Sequence, residues 1–311
     1  MNLRYICAQP AIPYYTWQVE VMVNNFIKNG VPPNNIDIVL ATSPATDLTK
    51  WKVLRDNYPE VGFHFYEDDR VNPVYISSVR PNVLKKHFEK FPDLVNEAIF
   101  YHDCDIVLTQ PQNWDKFLGD DIWYCSNTVS YVGARYVKSK GMGIYEDMCE
   151  IIGIPTNVPS DNEHNSGGAQ YIMKNVDAAF WEKVEKDSEE LTKYFVNHAA
   201  KNKYPPEYHP IQAWTADMWA VLWNAWYFGH TVQVPTELDF CWPMDHVSKW
   251  DTHKIFHNSG VVSTSEGMLY KGLYMNILPY NLQLDDFDAT KCSYRYAQEI
   301  VETSQTTALL V

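Results

Sequence analysis

Residues 99–108 read IFYHDCDIVL, an apolar run with a histidine, two aspartates and a cysteine in its middle. In an extended segment, residues i and i+2 point the same way. Read as one strand, the run projects Asp103 and Asp105 together and turns Cys104 to the other face. Convergent carboxylates repel each other unless positive charge lies between them. No cationic neighbour is obvious in the stretch, so a hard divalent cation is the natural candidate, and oxygen ligands suit Mg²⁺ or Mn²⁺.

The residues before this run set its place in a fold. LRYICA (3–8), NIDIVLAT (35–42) and GFHFYED (62–68) read as strands. Between them, TWQVEVMVNNFIKNG has helical spacing and ends on Gly30, a C-cap signal. ATDLTKWKVLRDNYPE and PNVLKKHFEKF read as two further helices, the last with Pro81 in its first turn. This β-α-β-α-β order predicts an α/β protein with a mostly parallel, Rossmann-like sheet flanked by helices. Ligands bind such sheets at the carboxyl ends of the strands. No G-x-G-x-x-G follows the first strand, so the dinucleotide fingerprint is absent. A second D-x-D, at Asp286 and Asp288, reads as solvated surface.

Beyond residue 110 come short aromatic-rich strands, the turn SKGMG, and a loop GIPTNVPSDNEHNSGG running into a strand AQYIMK. Gly167 and Gly168 suit a turn that needs positive φ. Helices are expected at 177–200 and 214–228, joined by a proline-rich link KYPPEYHP at 203–210. In the second of these, Thr215 is the expected N-cap, with Asp217 in the first turn. Trp214, Met218, Val221, Leu222 and Ala225 are expected along one face. The chain has 39 acidic against 25 basic residues and a net charge of −14, which argues against nucleic acid or an anionic membrane as partner. Six scattered cysteines without a C-x-x-C pair read as free thiols. No apolar stretch approaches the ~20 residues of a membrane span. A soluble, cytoplasmic protein is the expectation.

FYHDCDIVL resembles the D-x-D element of GT-A fold glycosyltransferases, which holds a divalent metal on the diphosphate of a nucleotide-sugar. HNSGGAQYIMK (164–174) is similar to the N-S-G segment of glycogenin-like enzymes of glycosyltransferase family eight. FHNSG (256–260) followed by YKG (270–272) resembles their C-terminal His, Gly and Lys element. The resemblance covers about residues 1–275 and implies a GT-A sheet with a smaller antiparallel portion. It implies a nucleotide-sugar-binding half at 1–110, an acceptor and catalytic half at 111–280, and a peripheral segment at 281–311. Asp103, Asp105 and His257 would hold the metal, and imidazole tilts the choice toward Mn²⁺ over Mg²⁺. Tyr14, Arg80, Asp103, Asn165, Gly167 and Lys271 would contact the donor, a UDP-sugar first. Asp217 would face the sugar, as general base or as a direct contact, with a carbohydrate or glycoconjugate as acceptor.

The chain also departs from the family pattern. Met218 follows Asp217 where the family has glutamine, the interval from His257 to Lys271 is stretched, and no Pro-Trp follows the lysine. Retention or inversion therefore stays open. Two rival readings fit less well. A sugar-phosphate nucleotidyltransferase calls for a Gly-rich, basic loop after the first strand, and AQPAIPYYTW supplies neither feature. A calcium-dependent carbohydrate-binding protein is usually smaller and antiparallel.

Overall fold

A computed structural model describes residues 1–201, 208–264 and 266–310, so most of the expected link at 203–210 lies outside the described residues. The chain begins β1 (Leu3–Pro10), α1 (Pro13–Lys28), β2 (Ile36–Thr42), α2 (Thr49–Asn57), β3 (Gly62–Glu67) and α3 (Val79–Lys90). Then come β4 (Ala98–Tyr101), β5 (Ile106–Leu108), β6 (Trp123–Asn127), and four short helices, α4 (Val129–Val132), α5 (Ala134–Lys138), α6 (Ile144–Ile152) and α7 (Asn157–Asp161). β7 (Gly167–Met173) leads into the long α8 (Ala178–Lys201) and α9 (Ala216–Tyr227). The short β8 (Val232–Gln233), β9 (Phe240–Cys241) and β10 (Ile255–His257) precede α10 (Cys292–Ser304). Pro13 opens α1, where a missing N–H costs nothing, and Gly30 at φ +87° lets the chain leave it. The chain is mixed α/β, with mostly parallel strands and one antiparallel pair in the main sheet, as its sequence predicts.

The described chain forms two compact units. One comprises Leu3–Phe65, Tyr101–Lys116 and Glu237–Val311. Here the sheet runs β3-β2-β1, and β1 and β2 are parallel from Tyr5 opposite Ile36 to Pro10 opposite Ala41. Both strands are almost wholly buried, which is why they read as unbroken apolar runs. A second sheet, β5-β10-β9, has β10 antiparallel to β5 and parallel to β9. Trp17 and Val21 of α1, Val107, Phe256 and Cys241 of the small sheet, and Cys292, Tyr296 and Ile300 of α10 share one core. The C-terminal segment is therefore not peripheral: α10 supplies part of the apolar interior.

The other unit comprises Met1–Asn2, Tyr66–Phe100 and Phe117–Thr236, and its sheet runs β4-β7-β6-β8. β6 is antiparallel to β7 and parallel to β8. α9 buries Ala216, Asp217 and every residue from Trp219 to Ala225, so it is enclosed on nearly all faces, not along the single stripe expected. Trp214 stands on the turn before it and is 63% exposed. Thr215 occupies the N-cap position, but its hydroxyl donates to the Gln212 carbonyl at 2.7 Å and makes no cap bond. All six cysteines are buried free thiols. Among the described residues no helix is long and apolar enough to cross a membrane.

Candidate functional site

The run at 99–108 is not one strand. β4 ends at Tyr101, β5 begins at Ile106, and the aspartates lie on the link between them. Neighbouring elements fix that link. The His102 N–H donates to the Ile6 carbonyl at 3.2 Å, and its Nδ1–H donates to the Asp103 carbonyl at 2.8 Å. Burial pushes the His102 imidazole down to about 4, so the ring is neutral at pH 7. Asn25 of α1 pairs with β5 as a strand would, donating to the Leu108 carbonyl at 3.1 Å and accepting from its N–H at 2.8 Å. The register of β10 on β5 sets His257 opposite Ile106, and the Asn258 N–H donates to the Asp105 carbonyl at 2.9 Å.

That register brings the imidazole to the carboxylates. His257 Nε2 lies 3.3 Å from Asp105 Oδ1 and 3.5 Å from Asp103 Oδ2. One ligand atom from each of the three residues falls within 4.8 Å of the others. Asp105 is 7% exposed and Asp103 32%, so the cluster is buried on one side and open on the other. Trp242 stacks on the His257 ring at 6.4 Å and 7°, and Phe240 tilts against it at 5.4 Å. Two carboxylate oxygens and one imidazole nitrogen form a donor set that can hold a divalent cation.

The aspartates do have a cationic neighbour. Lys271, from a turn 166 residues downstream, donates its ammonium to Asp105 Oδ2. Burial alone would raise the Asp105 carboxyl, but the charges of Lys271 and then His257 hold it well below the usual carboxylate range. Burial likewise opposes the charge on Lys271, yet Asp105 raises its ammonium above the ordinary lysine value. Tyr14, in the first turn of α1, is close enough for both charges to act on its phenol.

In the other unit, Asp217 at the start of α9 is 7% exposed and both its oxygens accept hydrogen bonds. Arg80 Nη2 donates to Oδ2 at 2.5 Å and the Tyr75 hydroxyl to Oδ1 at 2.6 Å. The guanidinium of Arg80, expected against the donor, thus faces this carboxylate. Tyr75 is held through its backbone: Glu189 of α8 accepts from the N–H groups of Val74 and Tyr75 at 2.8 and 3.2 Å. Arg70 donates to the carbonyls of Tyr75 and Ile76 at 3.2 and 3.1 Å.

Asn165 is half-buried in a 3₁₀ turn (Glu163–Asn165), and Gly167 opens β7. Gly167 and Gly168 do not adopt positive φ; Ala169 does, at 66°. Gly167 is required by close packing instead, since a Cβ there would lie 2.3 Å from Cys125 Sγ and 2.5 Å from the Ser126 carbonyl.

Five expected site residues, Asp103, Asp105, His257, Lys271 and Tyr14, therefore gather in one unit. Arg80 and Asp217 pair in the other. Tyr75, Glu189 and Asn25 were missed: each acts on residues far along the chain, and none sits in a spacing that marks it.

No family model and no curated protein matches the sequence. Solved structures do. The apo structure of the bifunctional glycosyltransferase WbbM matches at 14% identity and a TM-score of 0.51, covering 99% of this chain and 50% of that one. This chain thus spans half the length of that protein. Galactosyltransferase LgtC, in complex with donor and acceptor sugar analogs, matches at 11% identity and a TM-score of 0.49, covering 99% and 96% of the two chains. Mouse xyloside xylosyltransferase 1 in its apo form matches at 8% and 0.44, over 83% and 98%. At such identities the likeness concerns architecture, and the match to WbbM supports it. The chain has the GT-A fold of glycosyltransferases.

Proposed function

We propose that this protein is a metal-dependent glycosyltransferase that moves a sugar from a nucleotide-sugar, a UDP-sugar first, to a carbohydrate, glycoconjugate or protein acceptor. One observation carries the reading: within this fold, Asp103, Asp105 and His257 converge within 4.8 Å, with the Lys271 ammonium on Asp105. The three ligands would hold a divalent ion, Mn²⁺ preferred for its tolerance of imidazole, with Mg²⁺ second. Bound there, the ion would neutralise charge on the departing nucleoside diphosphate.

The chain's own groups supply the rest. Lys271 offers a positive charge to the diphosphate, and Tyr14 beside it offers an aromatic face to the base. Asn165 and the backbone at Gly167 are assigned to sugar hydroxyls. Asp217, oriented by Arg80 and Tyr75, either takes the acceptor's proton or contacts the donor sugar. Residues 1–110 are assigned to the donor and 111–280 to the acceptor and catalysis. Six reduced thiols fit a reducing compartment such as the cytoplasm.

A thermal-shift screen of nucleoside diphosphates with and without Mn²⁺ tests the assignment. A ligand at 100 times its Kd stabilises the native state by about 2.7 kcal/mol. A diphosphate that raises Tm only with Mn²⁺, and loses that effect in Asp105→Asn with its fold intact, supports the reading. A Mn²⁺-dependent shift unchanged in Asp105→Asn refutes the metal assignment.

A further inference from the structure

The inference rests on the assignment of Asp103, Asp105 and His257 as metal ligands and concerns what Lys271 does to that site. The two oxygens of Asp105 are divided. Oδ1 lies 3.3 Å from His257 Nε2, and Oδ2 accepts from the Lys271 ammonium. Any cation held by Asp105 therefore shares one buried carboxylate with a second positive charge. Like charges on one carboxylate, at 7% exposure, repel strongly because little water screens them.

Lys271 has somewhere else to go. It sits on a 3₁₀ turn (Lys271–Tyr274), its side chain is 26% exposed, and Leu273 and Met275 beside it are 53% and 47% exposed. A flexible four-carbon stem on an open turn can carry its ammonium from Asp105 to an anion arriving at the site. We propose that Lys271 couples the metal to the diphosphate. Paired with Asp105 it depresses affinity for the divalent ion, and a diphosphate that draws the ammonium away restores that affinity. By linkage, the ion then raises affinity for the diphosphate by the same factor. Metal and donor load together, and the site discriminates against the ion alone.

The test is calorimetric titration of Mn²⁺ into the full chain without nucleotide, for wild type, Lys271→Met and Asp105→Asn. Methionine keeps the length of the stem and removes the charge. Lys271→Met is expected to bind Mn²⁺ roughly tenfold or more tightly than wild type, within the usual range of coupling between sites. Pyrophosphate, which requires no knowledge of the base, is expected to raise Mn²⁺ affinity in wild type and to do so far less in Lys271→Met. Equal or weaker Mn²⁺ binding by Lys271→Met, with Asp105→Asn still abolishing it, overturns the coupling and leaves the metal site standing. Mn²⁺ binding indifferent to Asp105→Asn overturns both. Should Lys271→Met not fold, Lys271→Gln is the second variant, and absence of a pyrophosphate effect on Mn²⁺ affinity in wild type overturns the proposal without any variant.

Discussion

Removing one hydroxyl, in Tyr75→Phe, tests how Asp217 is held. Tyr75 is 6% exposed, and its ring keeps its place in the variant because Glu189 and Arg70 bind its backbone. What disappears is the phenol, which donates at 2.6 Å to Asp217 Oδ1 and lies 2.7 Å from the Trp214 carbonyl. Burial and the charge of Asp217 push that phenol far above its ordinary value, so it is a donor at every working pH. A hydrogen bond to a charged group contributes about 1.5–3 kcal/mol net. Arg80 still holds Oδ2, so the expected loss is toward the middle of that range, about 2 kcal/mol, or a fall in Tm of about 3 °C for a chain of 311 residues. Urea unfolding followed by circular dichroism gives the free energy, and a cycle with Asp217→Ala isolates the pair. The expected coupling is about 1 kcal/mol or more. A loss under about 0.5 kcal/mol, the range of ordinary surface substitutions, or strict additivity with Asp217→Ala would falsify the claim that Tyr75 orients this carboxylate.

Two other substitutions follow from the packing. Gly167→Ala is expected to cost about 1–3 kcal/mol in urea unfolding, because the new methyl meets Cys125 Sγ and the Ser126 carbonyl; a neutral result would mean β6 and β7 separate freely. Glu20, buried on α1, accepts from the Tyr280 and Thr307 hydroxyls, and burial raises its carboxyl above the ordinary 4.5. The native state then binds this proton more readily than the unfolded chain does, so stability drains away as pH climbs from about 4.5 through the folded value. Glu20→Gln should remove that drain, and the Tm of the variant relative to wild type should rise between pH 4.5 and 7.5. A difference that stays constant with pH contradicts the assignment.

Local order was legible in the sequence. Strand and helix succession through residue 98 follows from apolar period and from Pro and Gly signals, which act over a few residues, and α1 to α3 fall where that period places them. Asp103, Asp105 and His257 were legible as residue types in motifs, and their meeting was implied by the family resemblance alone. No local period encodes it, because it depends on the antiparallel register of β10 on β5, a pairing across about 150 residues. The same distance hid Lys271 on Asp105 and Tyr75 on Asp217. The break of the run at 99–108 into β4 and β5 was hidden differently. Local spacing favours one strand, whereas the backbone at 102–105 leaves the ladder and sets Asp105 against Lys271 and His257, partners that lie more than 150 residues away and leave no mark on the local spacing. The segment holding α10 read as peripheral because its own pattern is weakly apolar, and only the core of Trp17, Phe256 and Tyr296 shows what it covers. Sequence alone determined the elements up to residue 98 and the chemistry available along the chain; the tertiary structure decided which charges face one another, because burial and long-range register set their distances.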